Sequence, residues 1–297
     1  MKQSLKVASL TIFCIATYFL SLPVSAVEEP LIVKVRAFRG TASSTDDTKE
    51  YKYQVLKLIL EKTENTDGPF KIQAPQQEVP QARDFEMVKQ GYVDVILTVT
   101  SPERERELHP IRIPFEKALY GYHIFIINES DQPKFSAVRT LDDLRKLWAG
   151  MNEVWPENKI FRANGLNVVA TAGYRELFAM LKERRFDYFP RTAAEPWREL
   201  RDMNIPGLAV EKDLLIYYPA PGYIFTSKNN LKLADRLERG LRMAIADGSF
   251  DKMFYNNIYM KEALELGNLK NRRVFRLEDD SLSAETPLND KSLWYVP

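Results

Sequence analysis

The segment Val93-Asp-Val-Ile-Leu-Thr-Val99 is a run of aliphatic residues typical of a buried strand. Two further strands are predicted before it, at Leu31 to Phe38 and Phe70 to Gln73. A helix is predicted in each gap, at Tyr51 to Lys62 and at Gln81 to Gln90. Because strands that alternate with helices imply a mostly parallel sheet covered by helices, this part of the chain is predicted to form one α/β unit.

A strong strand at Tyr120 to Asn128 begins a second α/β series. The elements predicted after it are helices at Leu141 to Trp148, from Pro156 onward and at Tyr174 to Arg185, and strands at Met151 to Trp155, Val168 to Ala170 and Phe186 to Phe189. Thr140 and Asp143 match a capping box that opens the first of these helices. The second unit therefore lies inside the chain.

Two extended runs within Leu214 to Thr226 lead out of the inserted unit, and Leu231 to Ala246 is predicted as a long amphipathic helix. One α/β unit inserted into another gives two lobes with a hinge. Ligands of open α/β sheets bind beyond the carboxyl ends of the strands, so two facing lobes would share one cleft. The predicted fold class is α/β with two lobes, each a mixed sheet flanked by helices, joined by two hinge strands.

The amino-terminal residues have the pattern of a removable export signal. Lys2 and Lys6 precede an uncharged run from Val7 to Leu22, and Val24-Ser-Ala26 supplies the small residues of a cleavage site. The run is shorter than the roughly 20 residues that a membrane-spanning helix needs. We therefore expect a signal peptide over residues 1–26, no lipid anchor, no stable membrane insertion and a periplasmic location.

The composition argues against several classes of function. The net charge of +1 becomes about −1 when the two signal lysines are removed, so no attraction to nucleic acid is expected. The single cysteine, Cys14, lies in the signal, and only His109 and His123 are histidines. Two histidines are too few for a multi-histidine metal site, and a Cys–His dyad would lose its cysteine with the signal. No P-loop, G-x-S-x-G or G-x-G-x-x-G motif is present. No catalytic residues, metal or cofactor are therefore predicted.

Four stretches occur in an order that suggests a family. They are Gly91-Tyr-Val-Asp94 with Thr98-Val-Thr-Ser-Pro-Glu-Arg104, Leu141-Asp-Asp-Leu144 with Gly150, Leu177 to Arg185 with Phe186-Asp187, and Leu237, Gly240 and Leu241 with Ile245 to Phe250. Together they resemble the bacterial extracellular solute-binding proteins of the polar amino acid type, which have the type II periplasmic binding fold. Arg185 to Arg191 and Trp294-Tyr295 are similar to an uncharacterised subgroup of that family.

The resemblance implies a domain organisation and a function. The implied limits are 1–26 for the signal, 27–121 and 224–262 for lobe 1, 122–223 for lobe 2 and 263–297 for a tail that packs back on the body. It implies a monomer that captures a small polar ligand, anionic or amino-acid-like, and presents it to an ABC permease or a membrane sensor. Two alternatives remain: a periplasmic lyase or dehydratase with Glu195 or Glu157 as general acid, and a ligand-free accessory partner of a sensor kinase.

Arg104 matches the family arginine that grips a ligand carboxylate, with hydroxyls from Thr98, Thr100 and Ser101 close by. A guanidinium suits a planar anion because it forms two parallel charged hydrogen bonds. The alternative is a solvated helix start in which Arg104 pairs with neighbouring acids such as Glu105.

Arg191 and Thr192 stand where the family usually places an acid that holds a ligand ammonium, and Phe38-Arg39 replaces its second acid. Two lost acids and two gained arginines favour an anionic ligand, since an ammonium would be repelled there. The alternative is that Arg191 folds back onto Glu195.

Trp155 replaces a small residue of the family pattern and is predicted either at the rim of the cleft or in the core of lobe 2. Arg83, near the start of a lobe 1 helix, is predicted to line the cleft or to lie on the surface.

Overall fold

The computed structural model describes residues 29–35, 50–74 and 81–297, except the side chains of residues 81 and 82. The strands in these ranges are β1 (Leu31–Lys34), β2 (Phe70–Gln73), β3 (Val95–Val99), β4 (His109–Ile111), β5 (Tyr122–Asn128), β6 (Trp148–Asn152), β7 (Asn167–Thr171), β8 (Tyr188–Thr192), β9 (Leu208–Val210), β10 (Leu214–Tyr217), β11 (Gly222–Thr226) and β12 (Arg273–Arg276). The helices are α1 (Tyr51–Lys62), α2 (Glu64–Asp67), α3 (Gln81–Lys89), α4 (Pro102–Glu107), α5 (Gln132–Ser136), α6 (Leu141–Leu144), α7 (Glu157–Ala163), α8 (Tyr174–Lys182), α9 (Pro196–Met203), α10 (Leu231–Ala246), α11 (Ser249–Asn256) and α12 (Ile258–Gly267).

Lobe 1 is built on β1 to β4 and β11. The strand β11 runs antiparallel to both β3 and β4, β1 pairs in parallel with β2, and a parallel bridge between Val35 and Val95 joins the two groups. Helices α1 and α10 pack closely against each other over this sheet. A Cβ at Gly240 of α10 would lie only 2.2 Å from the carbonyl oxygen of Ile59 in α1. Glycine therefore allows the close approach of two helices that lie far apart in sequence.

Lobe 2 is a seven-stranded mixed sheet in the order β12-β10-β5-β8-β6-β7, with β9 beside β5. All seven residues of β5 are buried, as expected for a central strand covered on both faces. It runs antiparallel to β8 and β10, whereas β6 runs parallel to β7 and β8.

Two adjacent chain segments connect the lobes. The first leads from β4 into β5, and the second leads from β10 into β11. They touch where the amide of Tyr218 donates to the carbonyl of Gly121 at 3.2 Å, and a Cβ at Gly121 would lie 2.3 Å from the oxygen of Tyr218. The predicted two-lobed class with two hinge segments is confirmed, while the numerical lobe limits stay a prediction.

The helix predicted at Leu141 to Trp148 is wrong in its second half. The predicted capping box of Thr140 and Asp143 is present, but α6 ends at Leu144 and Trp148 already begins β6. The strand β6 pairs with β7 on one side and with β8 on the other, and this pairing overrides local helix propensity. Gly150 fits this strand because the ring of Phe186 lies where a Cβ would be.

The tail contains a strand that the sequence pattern did not predict. β12 pairs in parallel with β10 and extends the lobe 2 sheet, with Phe275 buried. Next to it, Arg272 is buried and donates to the carbonyls of Gly267, Glu211 and Leu214. Within the described ranges, no helix is both long and apolar enough to cross a membrane.

Candidate functional site

Arg104 lies in the first turns of α4, immediately after the carboxyl end of β3. Ser101 caps this helix, because its hydroxyl accepts the backbone N–H of Arg104 at 3.3 Å, and Pro102 occupies the first turn. The sequence-predicted Ser101 therefore acts on Arg104 through the backbone, by fixing where the helix begins.

The side chain of Arg104 is buried among neutral groups. Its Nη1 donates to the carbonyl of Val99 at 2.5 Å and to the hydroxyl of Thr98 at 3.2 Å, and the guanidinium lies 4.7 Å from the centre of the Phe85 ring. Only 7% of the residue is exposed, and this burial lowers its pKa. Since Nε and Nη2 donate to none of the described residues, a planar pair of donors remains for another partner.

The neighbouring acid does not neutralise Arg104. Glu105 accepts the hydroxyl of Thr100 at 2.6 Å and binds Arg112 at 2.8 Å. Glu103 binds Lys159 at 2.7 Å. The structure thus differs from a solvated helix start in which Arg104 pairs locally.

Arg191 is as buried as Arg104 but has charged partners. It lies within β8, not beyond the end of a strand as predicted. Its Nε and Nη2 donate to the two carboxylate oxygens of Glu199 at 2.7 and 2.6 Å, and Nη2 lies 2.9 Å from Glu195. Burial alone would lower the pKa of Arg191, but the two carboxylates outweigh burial and raise it. The ion pair with Glu195 that was the alternative for Arg191 is present, and a ligand role of Arg191 stays a prediction.

Aromatic rings enclose the Arg191 guanidinium. It lies 4.7 Å from the ring centre of Trp155 and 5.0 Å from that of Phe189. Trp155 also stacks on Phe189 with ring centres 6.0 Å apart, and Tyr174 donates to Glu199 at 2.5 Å. Trp155 therefore belongs to the packing of lobe 2 and at the same time covers a charged group.

Glu157 links the two arginines electrostatically. It begins α7 in lobe 2, and its Oε2 is buried with no hydrogen-bond partner among the described residues. Burial raises the pKa of Glu157, while the charges of Arg104 and Arg191 act to lower it. The charges of one arginine from each lobe thus act on the same carboxyl group.

Tyr120, at the first hinge segment, also responds to charges from both lobes. Burial raises its pKa, the charges of Glu116, Glu195 and Glu157 add to that rise, and Arg104 opposes it. Sequence reasoning missed Tyr120 and Glu199 as site residues. The spacing of eight residues between Arg191 and Glu199 gives no local signal for their pairing, because β8 and α9 must first fold against each other.

The remaining predicted site residues lie at different places in the chain. Thr192 lies at the end of β8 and its amide donates to Glu195 at 3.1 Å, so it shares the Arg191 cluster. Arg83 lies exposed on α3. Phe38 and Arg39 lie outside the described residues.

Ion pairs also join the two lobes. Glu103 of α4 meets Lys159 of α7 at 2.7 Å. Glu50, at the start of α1, accepts both terminal nitrogens of Arg198 in α9 at 2.9 and 2.7 Å. In the part of the chain that the structure describes, no group of three or more His, Cys, Asp or Glu residues could hold a metal ion.

Two lobes joined by two hinge segments are the architecture of the type II periplasmic binding fold, in agreement with the prediction. No protein-family model and no curated protein sequence matches the chain.

Several solved structures of other proteins are similar to this chain. An ancestral arginine-binding protein bound to arginine has 18% identity and a TM-score of 0.57, over 78% of this chain and 99% of that one. An ancestral amino-acid-binding protein, a precursor of cyclohexadienyl dehydratase, has 13% identity and a TM-score of 0.55, over 77% and 95%. A histidine kinase sensor domain similar to periplasmic binding proteins has 14% identity and a TM-score of 0.55, over 78% and 97%. At these identities the likeness shows a shared fold.

Proposed function

We propose that the protein is an exported solute-binding protein that closes its lobes over a small polar ligand. The observation that carries this proposal is the buried Arg104, whose Nε and Nη2 donate to none of the described residues and whose charge acts on Glu157 of the other lobe. A ligand that contacts both lobes stabilises the closed state, as in hinge-type domain closure.

The charges in the cleft favour a ligand that carries both signs. Arg104 offers two parallel donors to a carboxylate. On the lobe 2 side, Arg191 binds Glu195 and Glu199 and its charge also acts on Glu157, so the described carboxyl groups of this cluster outnumber its cation. A positive ligand group would relieve this excess, so an amino-acid-like zwitterion fits better than a ligand that is only anionic. This agrees in kind with the arginine bound by the ancestral relative.

We further propose that closure is read by an ABC permease or by a membrane sensor. Proteins of both kinds of system have this fold, since the similar structures include a substrate-binding protein of an amino acid ABC transporter and a kinase sensor domain. The periplasmic location rests on the signal pattern of residues 1–26.

A thermal-shift screen of amino acids and dicarboxylates tests the proposal, using wild type, Arg104→Ala and the matched control Arg83→Ala. We expect an amino acid to raise the melting temperature of the wild type and of the exposed Arg83 variant but not of the Arg104 variant. Equal stabilisation of all three proteins would remove Arg104 from the site. Stabilisation by dicarboxylates alone would favour the purely anionic ligand that the sequence indicates.

A second candidate is a lyase or dehydratase on the same scaffold. Burial raises the pKa of both Glu157 and Glu195, which suits a general acid, and one relative is a dehydratase precursor. Incubating the wild type with each stabilising ligand and analysing the products distinguishes the candidates. Turnover that Glu157→Gln or Glu195→Gln abolishes would favour the enzyme, and ligand recovered unchanged would favour the binding protein.

A further inference from the structure

Residues 277–297, here called the C-terminal strap, run from lobe 2 back to lobe 1. The strap begins at the end of β12, where the amide of Leu277 donates to the carbonyl of Tyr217 at 3.0 Å. Glu278 then forms two hydrogen bonds with Asn164, of 2.8 and 2.9 Å. Its first residues are therefore fixed to lobe 2.

The middle of the strap contacts lobe 1. Glu285 binds Arg112 at 2.7 Å, and the same arginine binds Glu105 of α4 at 2.8 Å. The indole N–H of Trp294 donates to the carbonyl of Pro287 at 2.9 Å, which folds the end of the strap onto itself. The strap is thus a further chain segment that connects the lobes, besides the two hinge segments and the segment that leads from α12 into β12.

The end of the strap bridges the first hinge segment. The amide of Tyr295 donates to the carbonyl of Lys117 at 2.7 Å, on the lobe 1 side of the hinge. The carbonyl of Tyr295 accepts the hydroxyl of Tyr122 at 2.9 Å, at the first residue of β5 in lobe 2. One residue therefore holds both ends of the segment about which the lobes would turn.

The backbone of this segment is held in an uncommon conformation. Lys117 and Ala118 have φ angles of 53° and 56°, a left-handed region that residues other than glycine adopt only when surrounding contacts hold them there. The side chain of Lys117 is held on both sides, since it binds Asp251 at 2.8 Å and the carbonyl of Ser292 at 3.2 Å. The strap supplies the second of these contacts.

We propose that the C-terminal strap restrains the hinge and limits how far the lobes open. Any rotation that separates Lys117 from Tyr122 lengthens or breaks the hydrogen bonds that Tyr295 makes to both. In a ligand-binding protein this restraint would narrow the range of open states through which ligand enters and leaves. That consequence rests on the proposed function, whereas the restraint itself does not.

Distances between spin labels on the two lobes test the restraint without any ligand. The single cysteine of the chain lies in the predicted signal, so Lys232→Cys on α10 and Arg175→Cys on α8 supply two specific positions, both exposed. Tyr295→Pro removes the donor to Lys117, and Tyr122→Phe removes the donor to Tyr295. Ser281→Ala is the control, because it loses only a hydrogen bond to Asp279 within the strap.

We expect a narrow distance distribution in the labelled wild type and in the Ser281 control, and a broader distribution in a Tyr122→Phe, Tyr295→Pro double variant. A truncation after Glu278 should broaden it further. A folded truncation with the wild-type distribution would overturn the proposal. If the truncation does not fold, the double variant decides, and an unchanged distribution there overturns the restraint. A failure of the ligand screen would leave this result unaffected, so the two proposals fail separately.

Discussion

Arg104 and Arg191 show how two equally buried arginines can have opposite roles. Each is only 7% exposed. Arg104 has neutral partners from β3 and two unused donors, whereas Arg191 has two carboxylates and a covering of aromatic rings. Burial alone therefore does not identify an arginine that binds ligand. The proposed ligand contact is Arg104 because two of its nitrogens donate to none of the described residues, whereas Arg191 forms ion pairs.

The largest expected effect is on stability, from Arg191→Ala. Removing this cation leaves Glu195 and Glu199 close together without a counter-ion, which should lower the free energy of unfolding by about 3–5 kcal/mol. Urea denaturation at neutral pH measures the loss. Arg104→Ala is the matched comparison and should cost only about 1 kcal/mol, since its partners are neutral. Equal losses in both variants would end the distinction between the two arginines.

For ligand affinity, in contrast to stability, Arg104→Ala should have the larger effect of the two variants. If Arg104 binds a ligand carboxylate, its loss removes charge-assisted hydrogen bonds of about 1.5–3 kcal/mol, which weakens the affinity roughly 10- to 100-fold. Titration calorimetry with the ligand found in the thermal-shift screen measures this change. A variant that retains wild-type affinity would transfer the role of ligand contact away from Arg104.

Glu116 extends the comparison to a buried carboxyl group that is held by a backbone amide. It accepts the amide of Gly222 at 2.9 Å, and burial raises its pKa to about 8. Because the folded protein retains this proton above the ordinary value of 4.5, its contribution to stability is present below pH 4.5 and is lost as the pH rises to about 8.

Glu116→Gln should therefore be more stable than the wild type at pH 8, by on the order of 1–3 kcal/mol, with the difference shrinking toward pH 4.5. Urea denaturation across this pH range tests the sign, with the exposed Glu278→Gln as control. A difference that stays constant with pH would show that Glu116 does not titrate in this window.

The smallest effect is expected at the ion pair between Glu103 and Lys159, whose side chains are 48% and 78% exposed. A double-mutant cycle to alanine should give a coupling of about 0.2–1 kcal/mol that declines with added salt. The more buried pair of Glu50 and Arg198 should couple more strongly and with less sensitivity to salt. Equal couplings would mean that burial does not strengthen the pair of Glu50 and Arg198 relative to the pair of Glu103 and Lys159.

The sequence predicted those features that depend on local patterns. The amphipathic repeat defines α10 over Leu231–Ala246 as observed, and the strand predicted at Phe70 to Gln73 is observed with the same limits. The placement of Arg104 just after a strand end was also predictable, because the strand pattern of β3 and the capping residues Ser101 and Pro102 are adjacent in sequence.

Features that depend on distant pairing were not predictable in this way. β12 is a four-residue segment with an arginine at each end, and it becomes a strand by pairing with β10 nearly 60 positions earlier. The second half of the helix predicted at Leu141 to Trp148 failed because Ala149 and its neighbours pair on both sides. The pairing of Glu199 with Arg191 was not predictable for the same reason, since Glu199 reaches Arg191 only once α9 packs on the sheet.

The position of the last residues has a practical consequence for recombinant work. Tyr295 touches both Lys117 and Tyr122, so any sequence fused after Pro297 would emerge beside the junction between the lobes. A purification tag at that end could separate these contacts and alter the behaviour that a binding assay is meant to measure.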